Sequence, residues 1–120
     1  MGRRDLTRVE FERIVEEALE SLPKRFADLV ENVIIAVEDE PTDEDLDGVE
    51  GDTEVLGIYR GVALTERSHD LTLLPDEIAV FRGPISRVAR TRREAVEEVR
   101  ETVMHELGHY FGLDDDDMPD

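Results

Sequence analysis

Two histidines and a glutamate stand together late in the chain, as His105-Glu106-Leu107-Gly108-His109. Residues four apart on a helix lie one turn above each other on one face. Both imidazoles can therefore approach a single ion at about 2.0–2.1 Å, the length of a zinc–nitrogen bond. Glu106 is rotated from that pair, yet its longer side chain can reach a water on the ion, take its proton and pass it to a leaving amine. The expected chemistry is hydrolysis by a metal-activated water, with Glu106 as general base and no covalent intermediate.

A catalytic zinc ordinarily has a third protein ligand and one open position. The pattern continues as His109-x-x-Gly112-x-x-Asp115. A glycine at the helix terminus adopts the left-handed conformation that reverses the chain and returns the next ligand to the ion. Register selects Asp115, although Asp114, Asp116 and Asp117 are adjacent and chemically identical. A carboxylate ligand lowers the net charge of the site and makes the water somewhat less acidic than three histidines would. The chain has no cysteine, so thiolate ligation is excluded and any metal must be held by histidine and carboxylates.

The motif needs a helix to present it. Thr91-Arg92-Arg93-Glu94 is a capping box opening a helix with core stripe Ala95, Val96, Val99, Val103 and Leu107, which stops near Gly112. Near the start, Thr7 caps an amphipathic helix with apolar positions Val9, Phe11, Ile14, Val15, Ala18, Leu19 and Leu22, ending at Pro23. A short helix is expected over Lys24 to Asn32, then a buried strand over Val33 to Val37. Val55 to Tyr59 and Val62 to Leu64 read as short strands turning at Gly61, and Ile78 to Phe81 as another closed by Gly83-Pro84. Together these strands predict a small antiparallel or mixed sheet.

A chain of 120 residues suits one domain, and 39% hydrophobic content suffices for a core despite 38% charged residues. With 32 acidic and 14 basic residues the net charge of −18 repels phosphate backbones and anionic lipid, so neither nucleic acid nor membrane is an expected partner. Met1-Gly2-Arg3-Arg4 is followed by Asp5, Arg8 and Glu10 where a targeting signal needs an apolar stretch. A cytoplasmic location is the expectation.

Beyond the motif, the segments Leu56-Gly57-Ile58-Tyr59-Arg60-Gly61, Leu64-Thr65-Glu66-Arg67, Pro75-Asp76-Glu77-Ile78 and Phe81-Arg82-Gly83-Pro84-Ile85 look like the recurring blocks of a known group. On these blocks and His105 to Asp115, the chain resembles the small bacterial zincin-like metallopeptidases over most of its length. The resemblance implies an α+β minimal zincin-like fold, with a small twisted mixed sheet packed against an N-terminal helix and a C-terminal active-site helix. It implies zinc on His105, His109 and Asp115 and Glu106 as general base, but delivers no substrate; one domain over residues 1–120 is expected from the length, and a peptide or protein substrate from the motif chemistry. Five residues follow Asp115, so the expected cleft is shallow, completed by an oligomer partner, or specialized for flexible peptides.

A second metal pattern competes. Asp43-x-Asp45-x-Asp47-Gly48, with Glu54 at the last position, fits the linear EF-hand loop, although the flanks read as strands where an EF-hand needs helices. The alternative function is accordingly a non-catalytic module binding zinc or calcium, and the plainer reading of residues 38–54 is a solvated acidic loop. Strand Ile78 to Phe81 is a candidate edge for an extended substrate, and Tyr59 or Tyr110 are oxyanion candidates weighed against simple packing. His69 reads as a loop residue. Arg87, Arg90, Arg92 and Arg93 are expected to pair with acidic segments such as Asp114 to Asp117, or to be solvated.

Overall fold

The computed structural model describes residues 6–47, 54–60 and 76–110, with residues 109 and 110 described by backbone alone. Helix α1 (Arg8–Glu20) opens on Thr7, whose hydroxyl accepts from the Glu10 N–H while the Glu10 carboxylate accepts from the Thr7 N–H. This reciprocal bonding satisfies two amides that a helix start otherwise leaves open. Phe11, Ile14, Val15 and Ala18 turn inward, whereas Val9, expected in the same stripe, is 60% exposed. After Pro23, helix α2 (Lys24–Val30) buries Phe26.

Strand β1 (Val33–Glu38) leads through an acidic segment to β2 (Gly57–Arg60), and then follows β3 (Asp76–Phe81). The sheet order is β1-β3-β2, with β3 parallel to β1 and antiparallel to β2. It is the mixed sheet expected. Its center corrects one reading: β3 is hydrogen-bonded on both sides, so Ile78 to Phe81 offers no free edge to a substrate. Among the described residues the edges are β1 and β2. Being an edge also explains why β1 is only partly buried, with Ile34 48% exposed, where its apolar run suggested full burial.

Gly83 and Pro84 do end the strand, but by starting a helix that the sequence reading did not include. Helix α3 (Arg82–Val88) follows Phe81 directly, and Pro84 sits in its first turn, where the missing N–H costs nothing. Gly83 packs closely on the segment after β1: its N–H donates to the Asp39 carbonyl at 2.9 Å, and a side chain there would displace the Glu40 carboxylate.

The last described element is helix α4 (Arg92–Tyr110). Thr91 caps it, its hydroxyl accepting from the Glu94 N–H at 3.1 Å, while the Glu94 carboxylate reaches past it to the Arg90 N–H at 2.8 Å. One sheet face, carrying Ile78 and Val80, packs on α1 and α4 through Phe11, Ile14, Val99, Val103 and Leu107. Met104 joins this core although the predicted stripe omitted it. Four helices and three strands among the described residues thus form an α+β fold, with the motif-bearing helix laid across one edge of the sheet.

Candidate metal and catalytic site

α4 crosses β2 at a contact that only glycine permits. A Cβ on Gly57 would lie 2.6 Å from Thr102 Cγ2 and 2.8 Å from the Ala79 carbonyl oxygen, both inside contact distance. One turn beyond Thr102, the Glu106 carboxylate accepts a hydrogen bond from the Tyr59 backbone N–H at 2.9 Å. In an antiparallel ladder, successive residues point their amides alternately toward and away from the partner. Phe81 N–H donates to the Leu56 carbonyl at 2.9 Å, so Leu56 faces β3, and the amides of Gly57 and Tyr59 face outward. Glu106 is therefore docked on the outer edge of β2.

His105 and Glu106 share a cleft of about 380 Å³ with Glu98, Glu101 and Thr102 of α4 and with Glu54, Val55, Leu56 and Gly57 opposite. His105 is exposed and Glu106 half-buried. The helix continues unbroken through residue 110, so position 109 follows position 105 by one turn on the same side. The side chains of His109 and Tyr110, and the whole of Gly112, Asp115 and His69, lie outside the described residues, as do Val62 to Leu64. Among the described residues no group of three potential ligands converges.

Glu98 is half-buried on the cleft wall. Burial first, then the neighboring carboxylates of Glu101, Glu94 and Glu97, push its carboxyl above the ordinary glutamate range. Glu54, on the opposite wall, is gripped by Arg87 at 2.6 and 3.0 Å, and the same guanidinium holds Glu40 twice at 2.9 Å. Arg87 thereby fastens the strand approaching β2 onto α3. Its bonds hold Glu54 and Glu40 below the usual carboxylate range. Arg92 pairs with Glu17 and Arg93 with Glu97, so these three arginines find acidic partners within the described fold.

On the sheet face away from the helices, Arg60 joins Glu38 of β1, Glu77 of β3 and Asp45 of the acidic segment, with contacts of 2.7 to 3.1 Å. Asp45 is 8% exposed and also accepts from the Thr42 N–H. Arg60 is the first cause lowering the Glu38 and Asp45 carboxyls, and they in turn raise its guanidinium. The EF-hand pattern is thus not realized as one: its flanks are strands, and the carboxylates of Asp45 and Glu54 are engaged by Arg60 and Arg87. Tyr59 packs its ring against the core with its hydroxyl buried, which removes it as an oxyanion donor to the open cleft. What the sequence reading missed is its backbone amide, a contributor that side-chain patterns do not reveal.

A family model for the zincin-like metallopeptidases matches residues 30–120. The chain belongs to that zincin-like metallopeptidase family. Among solved structures, it is similar to a conserved hypothetical protein of Thermus thermophilus, at 28% identity and a TM-score of 0.56, covering 88% of this chain and 94% of that one. No curated protein matches. The zincin-like assignment agrees with the mixed sheet and the motif helix, and it implies zinc binding in general. Among the described residues no helix is long and apolar enough to cross a membrane.

Proposed function

We propose that this zincin-like protein is a zinc-dependent peptidase acting in the cytoplasm, with His105, His109 and Asp115 as ligands and Glu106 as general base. The observation that carries the reading is the placement of His105 and Glu106 in one cleft, with the Glu106 carboxylate fixed on the edge of β2 by the Tyr59 N–H. The residues fit the ion. His105 is exposed, position 109 follows one turn later, and the nitrogen and oxygen donors suit zinc in a chain without cysteine. A zinc ion there supplies a Lewis acid that polarizes a peptide carbonyl and lowers the pKa of water.

The remaining work falls to the protein. Glu106 makes no ion pair among the described residues. Its bond to a neutral amide orients the carboxylate without neutralizing it, leaving it able to take a proton from the attacking water and deliver it to the leaving amine. The outward groups of Gly57 offer backbone pairing to an extended peptide, in place of the edge first expected on β3. The substrate is a peptide or protein, since the charge of −18 disfavors nucleic acid.

The test is metal analysis combined with cleavage of a peptide library, with and without chelator. About one equivalent of zinc, lost in the His105→Ala, His109→Ala double variant, and chelator-sensitive cleavage are expected. No zinc uptake on titration overturns the site, and cleavage unaffected by Glu106→Gln overturns the base.

A further inference from the structure

We propose that Arg87 is a positioning residue for the substrate: by gripping Glu54 it holds the strand wall of the cleft in the extended form that an incoming peptide pairs with, and so sets KM. The proposal rests on the peptidase reading and adds to that site a residue remote from the motif. The wall is Glu54, Val55, Leu56 and Gly57, facing α4 across the cleft. Its downstream half is fixed by the sheet. Gly57 pairs with Val80, and the Leu56 carbonyl accepts from the Phe81 N–H at 2.9 Å. There the ladder stops, because β3 turns into α3 at Arg82.

Arg87 takes over where the ladder ends. It lies in the last turn of α3, and its Nε and Nη2 donate to the two oxygens of Glu54 at 2.6 and 3.0 Å. A planar guanidinium that grips a carboxylate by two bonds fixes direction as well as distance. Its Nη1 and Nη2 also donate to the two oxygens of Glu40 at 2.9 Å, so the guanidinium is itself held from the other side. Glu40 follows Asp39, whose carbonyl accepts from the Gly83 N–H at 2.9 Å and whose carboxylate pairs with Arg82. One side chain thus ties the wall to the segment after β1, and each of these links starts from the first or last turn of α3.

The consequence for binding is preorganization. A segment that pairs with an extended peptide must itself lie extended with its outward groups aligned, and ordering it at the moment of binding subtracts from affinity. With Arg87 in place, that ordering is complete before the substrate arrives. Arg87 stands behind the wall, outside the lining of the cleft. Its loss is therefore felt as weaker binding with an unchanged chemical step.

The deciding experiment compares the full zinc-loaded chain with its Arg87→Gln, Glu54→Gln and Glu40→Gln variants, using a fluorogenic peptide taken from the library that the wild type cleaves. The Arg87 side chain keeps 46% exposure, so the variants should fold, with circular dichroism as the check. Arg87→Gln and Glu54→Gln should raise KM about tenfold and leave kcat within about twofold. Glu40→Gln breaks the other pairing of the same guanidinium and leaves the wall gripped, so its KM should stay within about twofold of wild type. Hydrogen exchange over residues 54–57 should quicken in the first two variants and keep the wild-type rate in the third, with residues 77–80 of β3 as the reference. An unchanged KM, a loss confined to kcat, an equal rise of KM in Glu40→Gln, or unchanged exchange over the wall in Arg87→Gln overturns the proposal, and the peptidase reading stands wherever the wild type cuts. Quickened exchange in a protein that cuts nothing would support the clamp and count against peptidase activity.

Discussion

The Tyr59 backbone N–H donates to Glu106 Oε1 at 2.9 Å, tying the expected general base to the edge strand of the sheet. Chemistry and fold can be separated at this bond. Glu106→Gln keeps an acceptor for the amide and removes the base. Its melting temperature should stay close to wild type, with zinc retained and peptide turnover reduced about 100-fold or more. Glu106→Ala should lose turnover and also about 1 kcal/mol of stability, because the amide loses its partner. Thermal denaturation and a cleavage assay on both variants check the separation.

Gly57→Ala should destabilize the protein by about 1–3 kcal/mol, because the new methyl meets Thr102 Cγ2 and the Ala79 carbonyl. Adding Thr102→Ala should restore part of the loss, since a backbone oxygen remains in the way. Urea denaturation of the two single variants and the double variant gives the coupling.

Arg60→Gln leaves Glu38, Asp45 and Glu77 facing one another without their cation. A loss of roughly 2 kcal/mol is expected at neutral pH, below that of fully buried pairs because Arg60, Glu38 and Glu77 keep about a third of their exposure. In the wild type, Glu38 and Asp45 titrate below their ordinary values, 4.5 and 3.8. Their contribution is thus present above those values and lost as pH falls through the depressed ones. In the variant, protonation relieves repulsion. The stability gap should therefore narrow as pH falls from neutrality into the acid range, which denaturation at a series of pH values measures.

Calcium at millimolar concentration should leave the melting temperature unchanged, because Asp45 and Glu54 are already held by guanidinium groups. Asp45→Asn should lower stability whether or not calcium is present. A calcium-dependent rise in the wild type that disappears in Asp45→Asn would count against the arginine-paired loop.

Features set by local spacing were legible in advance. Thr7 and Thr91 begin helices where expected, and His105 and Glu106 reach one cleft from the helix that the capping box announced. Features set by partners remote in sequence were not. Nothing near Ile78 says that β3 lies between two strands, because sheet order depends on how crossovers pack. Asp45 and Glu54 matched a metal loop because their arginines lie 15 and 33 residues away. Phe81-Arg82-Gly83-Pro84 misled by ambiguity, since proline serves equally after a strand and in the first turn of a helix.

Because Phe11 and Ile14 of α1 are covered by Val99, Val103 and Leu107 of α4, the first helix has no complete core until the last has been synthesized. Ribosomes add about 5–20 residues per second, so α1 waits on the order of seconds for its partner. On the proposed reading, the catalytic helix is also what completes the interior. On that reading, a nascent chain that has not yet released α4 lacks both the completed core and the residues proposed to carry the chemistry.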